Sequence, residues 1–313
     1  MRAIHIDRPG LFTTVQDHGR KHFLHMGVPP SGVMDQYAAD MANILVGNDQ
    51  GAALLELTVA GPAFQVSEAM DMALTGADME IRINGERQPA WESIALAPGD
   101  QVEIGSISRG CRSYLALGGG IDLPRVMDSF ATHVGGKTGG FKGRALKAGD
   151  QISIKPAPLL SAPRKLPMEY IPDLSAPKVL RAIPGPQDDF FEKDILFNGS
   201  YTVTQKSDRM GYRLEGPPLP ILEGKPQSIV SEALVPGSIQ VPPDGQPIIL
   251  FGEQTVGGYA KIATVISLDL PVVAQALPGE TLTFKKISLD RAQEALAQEK
   301  DRRQKIQALW QKS

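Results

Sequence analysis

A single cysteine, Cys111, in a chain of 313 residues excludes an internal disulfide and any cysteine-based metal cluster. An excess of basic residues is also missing: 32 Lys and Arg stand against 35 Asp and Glu, a formal net charge of -3. Without a basic field, neither nucleic acid nor an anionic membrane is an expected partner. No apolar run approaches transmembrane length. The opening MRAIHIDRPG lacks the charged region followed by an apolar core that marks a secretory signal. A cytoplasmic protein is therefore expected. Histidine is absent after His133, so any imidazole chemistry must come from the N-terminal half.

Glycine and proline are plentiful, 32 and 25 residues, and they punctuate short alternating runs. Met79 to Ile83 alternates and ends at Asn84-Gly85, a strong short-range hairpin signal. Elements this short and closely spaced point to a mostly β chain built of barrels or sandwiches. Two helices are predicted. One covers about Asp35 to Leu45, with Met34, Ala38, Met41 and Leu45 on one stripe and Gly47 as its stop. The other covers about Asp290 to Trp310, capped by Ser288, with Ala292, Leu296, Ile306 and Trp310 apolar in a charged context. Three related pieces, LAPGDQVEI (from Leu96), LKAGDQISI (from Leu146) and ALPGETLTF (from Ala276), each join a Gly-acid turn to an alternating strand. They are either copies of one unit or a turn common in any β protein. The proline-rich stretch from Lys155 to Lys178 reads as an extended linker. The expected layout is an N-terminal β domain over 1-155, a linker over 156-178, a C-terminal β domain over 179-288 and a helical tail over 289-313.

Candidate chemistry concentrates in SDRMGYRLEG (from Ser207), SIQVPPDGQPIIL (from Ser238) and EQTVGGYAKIATVISLD (from Glu253). If Ser207 to Leu214 is extended, its period of two places Arg209 and Arg213 on one face, flanking Gly211. Paired guanidinium groups of this kind suit a carboxylate or phosphoryl group. Gln240 falls beside the Pro242-Pro243-Asp244-Gly245 turn. Gly257-Gly258 interrupts a strand pattern, the mark of a bulge or of close backbone approach to a ligand, with Gln254, Thr255, Tyr259 and Lys261 around it. The alternative is that the glycines only bend strands and the arginines make surface ion pairs.

These three runs, together with GLFTTVQDHGR (from Gly10), HMGVPPSGVMD (from His25), ANILVGN (from Ala42) and LGGGIDLP (from Leu117), resemble one protein family. It includes the C subunit of bacterial ATP-dependent 5-oxoprolinase, the antagonist of the sporulation-kinase inhibitor, and the second part of the carboxyltransferase domain of urea amidolyase. The resemblance runs from about Gly10 to about Asp290. It implies two cyclophilin-like β-barrel domains followed by the C-terminal helix. It also implies one component of an enzyme acting on an amide or ureido substrate. In 5-oxoprolinase the ring amide of 5-oxo-L-proline is opened to glutamate at the expense of ATP, with B and A subunits completing the enzyme. On this reading Arg209 and Arg213 hold a carboxylate or the transferred group, and Gln240 and Gln254 orient the amide. Tyr259 and Lys261 become candidates for proton transfer or charge stabilisation.

The N-terminal half offers fewer candidates. His18, His22 and His25 have helix-like spacing, but Gly19 and Gly27 bracket them and no helix signal covers them, so no metal site is expected. Only His25 falls on the family pattern, as a general acid/base or a neutral hydrogen-bonding group. Gln16, Asp17 and Arg20 form either a site network or an Asx turn with an ion pair. Ser31 and Asp35 either cap the first helix or leave its N-terminus to an anion. The run HVGGKTGGFKGR (from His133) lacks Walker spacing, so ATP has no recognisable site here. A flexible loop carrying Lys137, Lys142 and Arg144 remains an alternative there.

Two other readings stay open. One is the carboxyltransferase part of a biotin-dependent, urea-amidolyase-like enzyme. Biotin would then come from another chain, because no Met-Lys-Met attachment sequence is present. The other is a regulatory antagonist of a histidine-kinase inhibitor.

Overall fold

The computed structural model describes residues 2–310 and separates into two compact units. The first comprises the chain up to Phe23 and Pro30–Ser175; the second comprises Leu24–Pro29 and the chain from Ala176 onward.

The first unit is a nine-stranded sheet. Its elements are β1 (Ala3–Arg8), β2 (Phe12–Gln16), α1 (Gln36–Leu45), β3 (Leu54–Thr58), β4 (Ala63–Val66), β5 (Met70–Ile83), β6 (Glu86–Gln88), β7 (Ser93–Leu96), β8 (Gln101–Leu117) and β9 (Gln151–Ser153). The long β8 is its spine, pairing with β4 near one end, β3 near the other and β5 along its length. The sheet curls without closing and forms a half-barrel. The Asn84-Gly85 hairpin forms as predicted, with both residues at positive φ, 51° and 87°, joining Ile83 to Glu86. Helix α1 lies close to the predicted span, starting after Asp35, whose side chain accepts from Ala38 N–H at 2.9 Å. It is buried on all sides from Tyr37 to Leu45 rather than on one stripe.

The three Gly-acid turns share one construction. The carboxylates of Asp100, Asp150 and Glu280 each accept from a backbone N–H three residues back, on Ala97, Lys147 and Leu277, at 2.7 Å in every case. Gly99, Gly149 and Gly279 supply the positive φ, 90°, 84° and 93°. Each glycine N–H then reaches a neighbouring strand, at Val66, Ile6 and Val203 respectively.

The proline-rich stretch is not a free linker. Leu160 N–H donates to Asp71 at 2.9 Å, Arg164 N–H to Ser93 Oγ at 2.7 Å, and Leu166 is fully buried. Backbone N–H groups between its prolines thus strap it along the first unit. The first unit consequently extends to Ser175, beyond the expected boundary at 155.

The second unit is a closed barrel of β10 (Lys178–Pro184), β11 (Ser200–Val203), β12 (Gly211–Glu215), β14 (Ser238–Val241), β15 (Ile248–Leu250), β17 (Ala260–Val265) and β18 (Thr281–Lys286). A separate two-stranded ribbon joins β13 (Glu232–Ala233) to β16 (Val256–Gly257). Helix α2 (Leu270–Ala274) precedes the last turn, and α3 (Leu289–Ala308) closes the chain. Ser288 caps α3 by accepting from Arg291 N–H. Of the predicted stripe only Ile306 is buried in α3; Leu296 points to solvent and Trp310 lies past the helix end. The last three residues of the predicted tail lie outside the described residues.

Tyr201 sits in the barrel core, edge-on to Phe284 at 5.7 Å. A Cβ on Gly199 would lie 2.8 Å from its hydroxyl and one on Gly216 would lie 2.7 Å from its ring. That hydroxyl is buried without a partner, and burial pushes its pKa up to about 12. Removing an orphaned buried hydroxyl relieves its desolvation, so Tyr201→Phe is expected to stabilise by about 1 kcal/mol. Between pH about 10, where a tyrosine in the unfolded chain ionises, and about 12, the wild type loses stability that the variant keeps. Thermal melts of both proteins from pH 8 to 11 check this. A lower Tm for the variant at pH 8 refutes it.

Candidate functional site

Barrel order brings the three candidate runs side by side. β12 pairs with β15, β15 with β14 and β14 with β17, so residues from Asp208 to Tyr259 surround one cleft of about 430 Å³. Arg213, Gln240, Gln254 and Tyr259 all line it, with Asp208 and Asp244 as its acidic groups.

The two arginines do not share a face. Strand β12 begins only at Gly211, because Asp208 Oδ1 accepts from the N–H groups of Met210 (2.8 Å) and Gly211 (3.2 Å), an Asx turn that overrides the extended pattern. Arg209 is thereby turned toward Glu253, Nε to Oε1 2.6 Å, with both side chains only 10% exposed. Arg213 remains on the strand, is exposed and lines the cleft with no ion pair among the described residues. Gly211 lines the cleft, and its missing side chain also serves packing. A Cβ there would stand 3.0 Å from Ile248 Cγ2 and 3.1 Å from Ile249 O, so cross-strand packing fills the space.

Gln240 is 5% exposed on β14, and its Nε2 is buried without an acceptor. Its cross-strand neighbours are Ile248 and Lys261. The pairing of β14 with β17 slips between Ile239 and Gln240, passing over Ile262, so a bulge lies within β17 rather than at the glycine pair. Gly257 ends β16, Gly258 follows it, and both admit protein groups: Gly257 the Gln240 carboxamide, Gly258 the Ile229 carbonyl. Thr255 is held through its carbonyl, which accepts from Leu234 N–H at 3.1 Å. Lys261 is buried, its ammonium on Glu232 and its N–H on Gln187 Oε1 at 3.0 Å; it does not line the cleft. Tyr259 is exposed. The two carboxylates that claim Arg209 and Lys261 carry no signal in the sequence pattern, although Glu253 opens one of the quoted runs.

The N-terminal candidates are placed differently. His25 is exposed in the short 3-10 turn Leu24–Met26, a segment grouped with the second unit. Ser31 belongs to the first unit, at φ 55° with its hydroxyl unpartnered. Asp35 is the α1 cap, and its N–H donates to Tyr114 Oη at 2.7 Å. Tyr114 in turn donates to Glu56 at 2.9 Å, and burial beside Glu56 and Asp35 drives its pKa well up. Asp17 forms the Asx turn, accepting from Gly19 N–H (2.8 Å), Ser129 Oγ and Phe130 N–H (both 2.7 Å). His18 meets Asp40 at 2.7 Å in a non-helical turn. Among the described residues no group of three or more His, Cys, Asp or Glu could hold a metal, and no helix is long and apolar enough to cross a membrane.

The glycine run after His133 is a loop folded on itself. N–H groups of His133, Lys137, Thr138, Gly143 and Arg144 donate to carbonyls within the run. Cβ atoms on Gly139 and Gly140 would overlap Arg20 and Thr132, at 1.9 and 1.8 Å. Arg144 is held by both oxygens of Asp150, at 2.7 and 2.8 Å, which keeps that carboxyl below its usual range.

Half-barrel, closed barrel and polar cleft define a two-unit β protein of the carboxyltransferase class. The chain belongs to the family described as carboxyltransferase domain, subdomain A and B, whose model matches residues 26–286. It is 36% identical over 294 residues to the C subunit of 5-oxoprolinase from Escherichia coli K12, covering 93% of each chain. It is 31% identical to urea amidolyase of Saccharomyces cerevisiae, covering 92% of this chain but 17% of that one. The crystal structure of the K. lactis urea amidolyase superposes with a TM-score of 0.88 at 31% identity, over 93% of this chain and 19% of that one.

Arg209 is thus expected to act on stability. Arg209→Ala strands the Glu253 carboxylate in a largely covered position, at a cost of about 3 kcal/mol. Adding Glu253→Gln to that variant is expected to restore much of the loss, as urea denaturation of the four proteins of the cycle would report. Additive losses refute the pairing.

Proposed function

We propose that this chain is the C subunit of an ATP-dependent 5-oxoprolinase, acting with A and B subunits in the cytoplasm to open 5-oxo-L-proline to L-glutamate. The observation that carries the reading is the unsatisfied Gln240 Nε2 in the same cleft as the unpaired Arg213 guanidinium. A buried donor without an acceptor costs about 1–3 kcal/mol, and a ligand carbonyl would recover it. 5-Oxo-L-proline has the two matching groups, a carboxylate for Arg213 and a ring carbonyl for Gln240. Two bacterial relatives named as the C subunit of 5-oxoprolinase support the assignment over 93% and 89% of this chain.

Charge argues for a small monoanion in this cleft. Arg213 is the one cation lining it among the described residues, and Asp208 and Asp244 line it too. A triphosphate would meet a net negative lining. ATP is accordingly assigned to a partner subunit, which would bring its terminal phosphate to the ring carbonyl in the assembled complex. This chain's part is to bind and orient the lactam. Tyr259, exposed and lining the same cleft, is the candidate to exchange a proton with it. The urea amidolyase relatives favour a second reading, a carboxyltransferase receiving its carboxyl group from biotin on another chain.

Co-expression with A and B subunits, followed by an assay for glutamate dependent on ATP and 5-oxo-L-proline, tests the proposal. The chain alone is expected to be inactive. Arg213→Ala in the complex is expected to raise KM for the lactam roughly tenfold to a hundredfold, the worth of one charged hydrogen bond. Turnover by the isolated chain, or an unchanged KM in Arg213→Ala, overturns these roles. Glutamate formation absent under all conditions, with a biotin-dependent carboxylation of a ureido substrate in its place, selects the second reading.

A further inference from the structure

The β13–β16 ribbon stands outside the barrel, with Glu232 opposite Gly257. It is tied off by Ile229 N–H on Gly258 O at 2.8 Å and by Leu234 N–H on Thr255 O at 3.1 Å. Two of its contacts with the strands beneath meet at one cross-strand pair, Gln240 on β14 and Lys261 on β17. Glu232 takes the Lys261 ammonium. Gly257 lies against the Gln240 carboxamide and the Leu234 side chain, where a Cβ would stand 2.4 Å from Gln240 Nε2, 2.9 Å from Leu234 Cδ1 and 3.1 Å from Gln240 Oε1. The φ of Gly257 is not in the left-handed region, so its backbone conformation does not require glycine. A side chain there would meet the ends of Gln240 and Leu234, so an added methyl displaces one or both.

We infer that Gly257 is a positioning residue for Gln240. Its missing side chain lets the carboxamide lie flat between barrel and ribbon with one edge on the cleft, and the Glu232–Lys261 ion pair holds the ribbon at that height. A methyl group at 257 moves the amide or lifts the ribbon; both change what the cleft offers to a ligand carbonyl. The kinetic part of the test rests on the proposed function, and the spectroscopic and thermal parts do not.

The full chain is compared as wild type, Gly257→Ala, Gln240→Ala and the double variant, with Glu232→Gln as a gentler change that keeps side-chain size. In 15N spectra of the isolated chain the Gln240 side-chain NH2 pair, assigned by its loss in Gln240→Ala, is expected to shift in both Gly257→Ala and Glu232→Gln. Gly257→Ala is expected to lower Tm by about 3 °C or more, and by less than half as much when residue 240 is already Ala, because the two sites are coupled. In the reconstituted complex Gly257→Ala is expected to raise KM for 5-oxo-L-proline roughly tenfold, with a smaller change in kcat. Unmoved Gln240 resonances, equal Tm losses in the two backgrounds, or an unchanged KM despite a shifted resonance each overturn the inference. A wild-type complex without turnover sinks the functional reading, and the resonances and the Tm cycle then decide this one.

Discussion

Closure of the C-terminal barrel is the constraint from which the cleft follows. The last strand, β18, runs parallel to the first, β10, from Lys178 opposite Leu282 to Ala182 opposite Lys286. Parallel pairing needs a long return path, and here the entire remainder of the barrel supplies it. Closure removes sheet edges and ties strand stagger to strand tilt, so the choice of residues facing each way is made once for all strands. Arg181 ties β10 to the segment that follows β17, its N–H and guanidinium both on Asp269 at 2.6 to 3.3 Å. Asp269 lies immediately before α2, the element that leads the chain back into the final turn. With the seam fixed, β12, β15, β14 and β17 have only one order, and residues more than forty positions apart line one cleft.

The same turn device serves both units. An acid that accepts from the N–H three residues back closes a tight corner, with proline at the second position in two of the three turns, and the preceding glycine supplies the positive φ. Because each glycine N–H also bonds an adjacent strand, the corner sets where the following strand enters the sheet. That shared geometry favours relatedness of the turns over coincidence of composition, although the sheets they serve differ in closure.

Much of this was legible because it is local. Asn84-Gly85, the Asp35 cap, Gly47 and the three turns depend on φ and on side-chain reach within three or four residues. The closeness of the three C-terminal runs was legible as a constellation, since Arg213, Gln240, Gln254 and Tyr259 do meet in one cleft. What failed was period-two extrapolation through Ser207 to Gly211. A single short carboxylate, Asp208, gives the backbone a better local partner than the ladder and turns Arg209 away. Partners distant in sequence were equally hidden: Glu253 for Arg209, Glu232 for Lys261, and Asp71 and Ser93 for the proline-rich stretch. Gly257 and Gly258 were recognised as sites of close approach, but sequence does not say what approaches, and here it is the protein itself.

Pairing off Arg209 and Lys261 has a consequence for the chemistry. A cleft with three unneutralised cations would attract any polyanion, and its selectivity would rest on shape alone. With two cations committed to carboxylates outside the cleft, its polarity reduces to one guanidinium, two flanking acids and neutral amides. Such a lining penalises each extra negative charge on a ligand, while an unsatisfied amide donor rewards a carbonyl at one depth and orientation. Discrimination of this kind relies on groups left unpaired when the wrong molecule binds, and Gln240 Nε2 is one before any molecule binds. Holding it there costs stability, and the ribbon that encloses it, pinned by Glu232 and shaped by the absent side chain of Gly257, is what prevents the amide from relaxing to a better partner.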